Sequence, residues 1–400
     1  MTLAPSSAPK GSAWEVLRAF LVLGLTSFGG PVAHFGYFRR EFVENRKWLS
    51  EHDYLGLLAL CQFLPGPASS QTGFCIGMKR AGWRGGLAAW VGFTLPSAAL
   101  MLALAYWMNM FQSMPMARGA LHGLQLAAVA VVAQALYLMA RSLCPDTPRR
   151  ALALLAAAIL GLQPGTFGQI LVLVIGAMIG GLALEPEARV DAATRGAGLS
   201  MRAHRAAVAC MLVFLLLLLL AFLVPQHGAL ALFGAFYRTG ALVFGGGHVV
   251  LPLLSDSVVM PGWISPQWFL AGYGAAQAMP GPLFTVAAFL GALASGGPGG
   301  IWGAAIATLA IFLPGLLIVA ATLPYWEVLR HRRGLATAMM GVNAAVVGLL
   351  GAAFINLLTL SALHNPWDLP IAGAALLLLV VGRARPLLVV IFCAAAGAAI

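Results

Sequence analysis

Apolar runs separated by short polar or glycine-rich loops occupy the chain from residue 15 onward. Five of them, at about 87–108, 119–140, 206–224, 301–324 and 335–357, are each long enough for a helix to cross a hydrocarbon core, which takes about 20 residues. The third contains six consecutive leucines at 215–220. Two more runs, 54–78 and 267–293, are broken in the middle by Pro-Gly-Pro, which leaves about 11 to 13 residues on either side. Each arm is half a span, so each pair predicts a re-entrant helical hairpin or a discontinuous helix. Shorter apolar pieces lie at 151–163, 166–184, 369–382 and 387–400. The pattern predicts an all-α polytopic membrane protein.

Composition agrees. The 400 residues are 61% hydrophobic and 9% charged, where soluble domains carry about 25% charged residues. Too little polar surface remains for a soluble enzyme, a nucleic-acid binder or a disordered chain. The net charge of +11 comes from short basic runs between apolar stretches, the pattern of membrane-flanking anchors. The five cysteines (Cys61, Cys75, Cys144, Cys210, Cys393) have no CxxC spacing and read as small apolar fillers. The segment after the polar tail 1–14 lacks a small-residue cleavage site and is expected to stay in the membrane.

The chain also repeats itself. Ser27-Phe28-Gly29-Gly30-Pro31 returns as Val243-Phe244-Gly245-Gly246-Gly247, and Trp48-Leu49-Ser50 as Trp263-Ile264-Ser265. Gln62-Phe63-Leu64-Pro65-Gly66-Pro67 returns as Gln277-Ala278-Met279-Pro280-Gly281-Pro282. Phe93-Thr94-Leu95-Pro96 returns as Ile311-Phe312-Leu313-Pro314. The separation stays at 215 to 218 residues, which defines two homologous halves, 15–184 and 229–400. Between them, 185–228 supplies a charged loop and one connecting transmembrane helix.

Charge placement suggests how the halves sit. Arg39, Arg40, Arg46 and Lys47 precede the first broken stretch, and Lys79, Arg80 and Arg84 follow it. Basic loops favour the cytoplasmic side, so this stretch should enter and return on one face. The matching loops of the second half, 253–266 and 294–300, contain no Lys or Arg, and basic residues return at Arg330, Arg332 and Arg333. Inverted repeats joined by an odd helix are predicted. Inversion needs an even number of crossings per half, so each closing pair of short segments must count as one crossing. That arrangement leaves the arginines of 185–205 on the outer face, against the charge rule.

The breaks are the candidate chemistry. Pro67 and Pro282 read as starts of the second arms, and a helix start attracts anions through its free N–H groups and dipole. Many secondary transporters build a midplane site from such broken helices. Ser69, Ser70 and Thr72, with Gln71 beside them, line the first break, and Thr285 lines the second. Gln62 and Gln277 end the first arms. The expected substrate-binding set is Gln62, Pro65, Gly66, Pro67, Ser69, Ser70, Arg238, Gln277, Pro280, Gly281, Pro282 and Thr285. A simple kink in a packed helix is the competing account of each Pro-Gly-Pro. Arg238, near mid-depth, is a functional candidate by its cost, with snorkelling to an interface as the alternative; the first half has Val22 there. A cation beside helix ends suits a tetrahedral divalent anion. Gly29, Gly30, Gly245, Gly246 and Gly247 permit unwinding or close helix approach. His34 and His248 could carry protons or be structural. Asn343, Asn356 and Gln125 suit interhelical hydrogen bonds. Nucleotide, hydrolase and metalloprotease signatures are missing, so a gradient or exchange would drive any active transport.

Taken together, Ser27-Phe-Gly-Gly-Pro31, the Arg39–Trp48 loop, Gln62-x-x-Pro65-Gly66-Pro67 and Phe93-x-Leu95-Pro96, with their second copies, resemble the signature of the CHR chromate ion transporter family in its long, two-domain form. The resemblance implies an inner-membrane carrier that expels chromate and confers resistance, coupled to protons, with halves of opposite orientation and sulfate as the look-alike anion. No cofactor is expected, and a homodimer is compatible with the chain. Family members commonly carry a basic residue in the first segment of each half, a pattern that Val22 breaks. Sulfate uptake or exchange, and a non-transporting scaffold or reductase, are the other readings.

Overall fold

The computed structural model describes residues 11–111, 113–185, 201–223, 227–329, 333–360 and 365–399. Arg330, Arg332, most of the 185–205 loop and most of the polar tail therefore lie outside the described residues, as does the side chain of His248. All regular structure among the described residues is helical. The first half contains α1 (Ala13–Thr26), α2 (Gly30–Phe38), α3 (Glu51–Phe63), α4 (Ala68–Phe111), α5 (Pro115–Leu143), α6 (Thr147–Leu162) and α7 (Thr166–Ala183). α8 (Met201–Leu223) connects. The second half contains α9 (Ala229–Leu242), α10 (Val250–Leu254), α11 (Pro266–Ala276), α12 (Val286–Leu293), α13 (Gly300–Thr322), α14 (Trp326–Leu329), α15 (Arg333–Leu360), α16 (Asp368–Val380) and α17 (Pro386–Ala398). Among the described residues, six helices are long and apolar enough to cross a membrane, including α5, α8, α13 and most of α15.

Ser50 caps α3, its hydroxyl accepting from Asp53 N, and the chain breaks at Pro65-Gly66-Pro67 before α4 begins. Within α4, Ala81 (φ −142°) and Gly82 (φ 63°) leave helical geometry and divide a first arm, 68–80, from a long span, 83–111. Lys79 at the end of that arm pairs with Asp53 at the start of α3 (3.1 Å), and Arg80 pairs with Glu15 at the start of α1 (3.1 Å). Both ends of the Pro-Gly-Pro stretch therefore lie on one face, and the stretch is a re-entrant hairpin. Arg39, just past α2, pairs with Glu51 at the same face (2.8 Å). α1 and α2 thus form a second re-entrant hairpin, with its own break at Ser27–Gly29.

The second half repeats this plan with neutral ties. Gly228 N, before α9, donates to Gly296 O, after α12 (2.8 Å). Ser295 N donates to Trp263 O, before α11 (3.0 Å). α9 with α10, and α11 with α12, are the two hairpins.

The faces of entry are opposite. The 83–111 span leaves the basic face at Gly82, and 24 residues later, about 35 Å at 1.5 Å per residue, the Tyr106 hydroxyl lies against Gly300. Gly300 starts α13 at the entry face of the second half. Reciprocally, α13 runs back so that Leu316, Val319 and Ala320 pack among the hairpins of the first half. The repeats are inverted.

How the crossings add up differs from the sequence expectation. The segment 15–38 turns back at Gly29 and Pro31, and the ion pairs of Glu15 and Arg39 hold its two ends on one face. Of the closing helices, α7 is long and apolar enough to cross a membrane, and α16 and α17 are shorter. The α6–α7 turn at Pro164 and Gly165 reaches Asp256 and Pro266 on the entry face of the second half. The pairs are also exchanged between repeats: α6 and α7 pack on α15, and α16 and α17 pack on α5. Backbones meet closely there, since a Cβ on Gly341 would stand 1.9 Å from Gly176 O, and one on Gly123 2.0 Å from Cys393 O. α8 begins beside the end of α13, where the Tyr325 hydroxyl lies 2.6 Å from His204 Nδ1.

Candidate substrate site at the paired helix breaks

Each Pro-Gly-Pro meets the glycine-rich break of the other half. Gly66 N donates to Val243 O (2.7 Å), and Gly281 N donates to Ser27 O (2.8 Å). Val243 and Ser27 are repeat equivalents, so these two bonds form a reciprocal pair about a pseudo-twofold axis. Gly66 (φ +117°) and Gly281 (φ +86°) adopt backbone that other residues rarely take. A Cβ on Gly66 would lie 2.9 Å from Gly315 Cα, and one on Gly281 2.6 Å from Ser97 Oγ. Gly315 and Ser97 each follow the mid-helix proline of their half, Pro314 and Pro96. A chain break in the bilayer leaves backbone groups that must find protein partners, and here the other repeat supplies them.

The glycines settle toward unwinding. Gly29, Gly30, Gly245 and Gly246 all have positive φ, and Gly247 opens a short 3₁₀ turn against Pro31. Pro67 directly precedes α4, whereas Pro282 precedes a 3₁₀ turn, 283–285, before α12. Thr285 is held locally by a bond to Pro282 O (2.8 Å), and Thr72 by one to Ala68 O (2.8 Å).

Gln71 ties the site together. Its fully buried amide donates to Pro65 O and to Gly315 O, both at 2.9 Å, and so joins the first break to α13 of the other half. The fully buried His34 ring brings Nε2 within 3.2 Å of Ser27 O, the carbonyl that also receives Gly281 N. Ser27 Oγ, His34 Nδ1, Ser70 Oγ, Gln71 Oε1, Thr94 Oγ1 and Gln277 Nε2 are buried without a hydrogen-bond partner among the described residues. A buried polar atom left unmade costs about 1–3 kcal/mol. Several such atoms lie on the segments that form the breaks. Hydroxyls and amides can donate to oxyanion oxygens.

Two expected site residues stand apart. Gln62 is exposed at the end of α3 and does not turn into the break. Arg238 donates to Ala221 O and lies over the Phe222 ring (5.5 Å), both near the end of α8. Its guanidinium therefore lies against the end of the connecting helix. Ser27, Thr94, Ser97 and Gly315 were not singled out as site residues. Aligning the two copies through their mid-helix prolines brings Ser97 and Gly315 into register and could have revealed them.

Together these features define a polytopic helical membrane protein of two inverted, interlocked modules whose interrupted helices meet. The chain belongs to the chromate transporter family: the family's pattern matches residues 14–182 and 230–398. It is 30% identical to the chromate transport protein of Pseudomonas aeruginosa over 357 residues, covering 88% of this chain and 82% of that one. It is 29% identical to a probable chromate transport protein of Synechococcus elongatus over 365 residues (90% and 88%), and 28% identical to the chromate transport protein of Cupriavidus metallidurans over 388 residues (96% and 92%). No solved structure matches the chain.

Proposed function

We propose that this protein is a secondary carrier that moves chromate out of the cell across the inner membrane, driven by the proton motive force, and thereby confers chromate resistance. The observation that carries this reading is the reciprocal pair of bonds, Gly66 N to Val243 O and Gly281 N to Ser27 O. It brings the start of α4, with Ser69, Ser70 and Gln71, beside the break at Val243, and the second Pro-Gly-Pro beside Ser27 and His34. The helix start and unpartnered hydroxyls would hold the oxygens of a tetrahedral dianion. Arg238 has no part in holding the anion in this account.

Two inverted modules that share one central site suit alternating access, with each module gating one face. Sulfate has the same shape and charge, and a sulfate carrier is the second reading; relatives named for chromate transport favour the first. Everted membrane vesicles containing the protein should accumulate labelled chromate when energised, and a proton uncoupler should abolish the accumulation. Accumulation that ignores the uncoupler would remove the coupling. Counterflow of sulfate but not of chromate in proteoliposomes would replace the substrate.

A further inference from the structure

One carboxylate outside the helix breaks is partly buried beside a neutral amide rather than a base. Asp256 lies in the π-helical turn Ser255–Val259 that follows α10. Its repeat counterpart in the first half is the Arg39–Asn45 turn at the basic face, so Asp256 belongs to the loop at the opposite face, outside the spanning helices. Glu15, Glu41, Glu44, Glu51, Asp53 and Asp146 each have a Lys or Arg partner, and Asp368 has His122. Asp256 has the neutral amide of Gln169, whose Nε2 donates to Oδ2 at 2.6 Å.

The pair borders a cavity of about 70 Å³. Its walls come from α6 and α7 of the first half and from α10, α11 and α15 of the second. Besides Asp256, the polar side chains lining it are Gln169, Ser255 and Asn356, and no other titratable or charged group faces it among the described residues. Burial raises the carboxyl, against the Gln169 bond, to about 6, inside the range where protons exchange near neutrality.

Two connections give this group leverage. Gln169 opens α7, in the exchanged hairpin of the first half, so the bond to Asp256 fastens that hairpin to the re-entrant unit of the second. Next to it, Ser257 Oγ lies 3.0 Å from Thr239 Oγ1, which also donates to Ala235 O in α9 (3.0 Å). The same short unit, α9 through the π turn, carries Val243, whose carbonyl receives Gly66 N. A change at Asp256 therefore acts on an element that forms one side of the paired breaks.

We propose that Asp256 is a proton-binding site of the transport cycle, at which one proton taken from the face opposite the basic loops converts the carboxylate to a carboxylic acid and loosens its tie to Gln169. The proposal rests on the carrier reading above. A proton is the fitting cation because one carboxylate and one amide in a mostly apolar wall offer too few oxygens to replace the shell of a metal ion, which needs about six.

The test uses the full-length protein in proteoliposomes, with labelled chromate, and separates two fluxes. Chromate counterflow without a pH gradient reads the carrier itself, and flux driven by a pH gradient reads the coupling. Asp256→Asn is expected to lower gradient-driven flux by about tenfold or more, the size of an ordinary coupling free energy, while counterflow stays measurable. A wild type without counterflow would remove the carrier reading. Wild-type counterflow combined with an undiminished gradient response in D256N would overturn the Asp256 proposal alone. Should D256N fail to fold, infrared difference spectra of the wild type and Gln169→Leu serve instead. A carboxylic-acid band should titrate in the wild type and shift to higher pH in Q169L, since the lost donor had favoured the charged form. An unshifted band, a missing band, or a flux that follows sodium instead of pH would also overturn it.

Discussion

The two re-entrant units share a topology and differ in chemistry. At the basic face the first unit is fastened by ion pairs, Lys79–Asp53 and Arg80–Glu15, and the Arg80 guanidinium lies 5.0 Å over the Trp48 ring. At the opposite face the second unit is fastened by backbone bonds, Gly228 to Gly296 and Ser295 to Trp263, without a charge in either tie. The breaks differ in the same way. The first carries Ser69, Ser70, Gln71 and Thr72, while the second offers Thr285, already bonded to its own turn. Duplication supplied one frame twice. The charge rule for membrane loops accounts for the difference between the ties.

Several substitutions would break or sharpen that comparison. The largest effect should come from the exchanged packing on which both units depend. Gly341→Leu would drive a side chain into the backbone of α7, and Gly123→Leu into that of α17, so neither variant should assemble, as size-exclusion chromatography after extraction would read. Next come the breaks. Gly66→Ala and Gly281→Ala each force a side chain into left-handed backbone and a closed contact, at a cost of about 1–3 kcal/mol. Their thermal unfolding midpoints should fall, and by similar amounts if the pseudo-twofold bonds matter equally. Gln71→Leu removes two buried hydrogen bonds from the first break, about 1–3 kcal/mol in all, with no counterpart in the second. It should lower both the midpoint and chromate counterflow. Arg80→Ala should cost less than about 1 kcal/mol because its ion pair is partly exposed, and the loss should shrink in high salt. Arg238→Leu should leave chromate affinity close to wild type; a loss like that of Gln71→Leu would return the cation to the site.

Much of this architecture was legible in the residues. The repeat offset, the Pro-Gly-Pro hairpins and the connecting leucine helix can be read from local pattern, because proline, glycine and twenty-residue apolar runs act over short distances. The hairpin made by α1 and α2 was not read, although Gly29-Gly30-Pro31 marks it, because an apolar stretch of 24 residues looks the same whether it crosses or turns back. Exchange of the closing pairs between repeats is a choice of tertiary partner, and no local period encodes it. The small residues that permit it, Gly123, Gly176, Gly341 and Gly397, are visible only as glycines. At the site, Ser69, Ser70 and the glycines stood out by type. The orientation of Gln62 and Arg238 depended on which neighbour each long side chain reaches, and both went elsewhere. Asp256 carries no local mark of its setting, because the partner that defines it, Gln169, lies 87 residues away in the chain.

The central claim is that the two breaks meet and hold the anion between them. Placing one reporter thiol at Ser70, in a protein whose five native cysteines are replaced, tests it most directly. In proteoliposomes that retain chromate counterflow, chromate should slow alkylation of that thiol, with half-protection near the concentration that half-saturates counterflow. Alkylation at the same rate with and without saturating chromate, while counterflow continues, would place the substrate elsewhere and contradict the account.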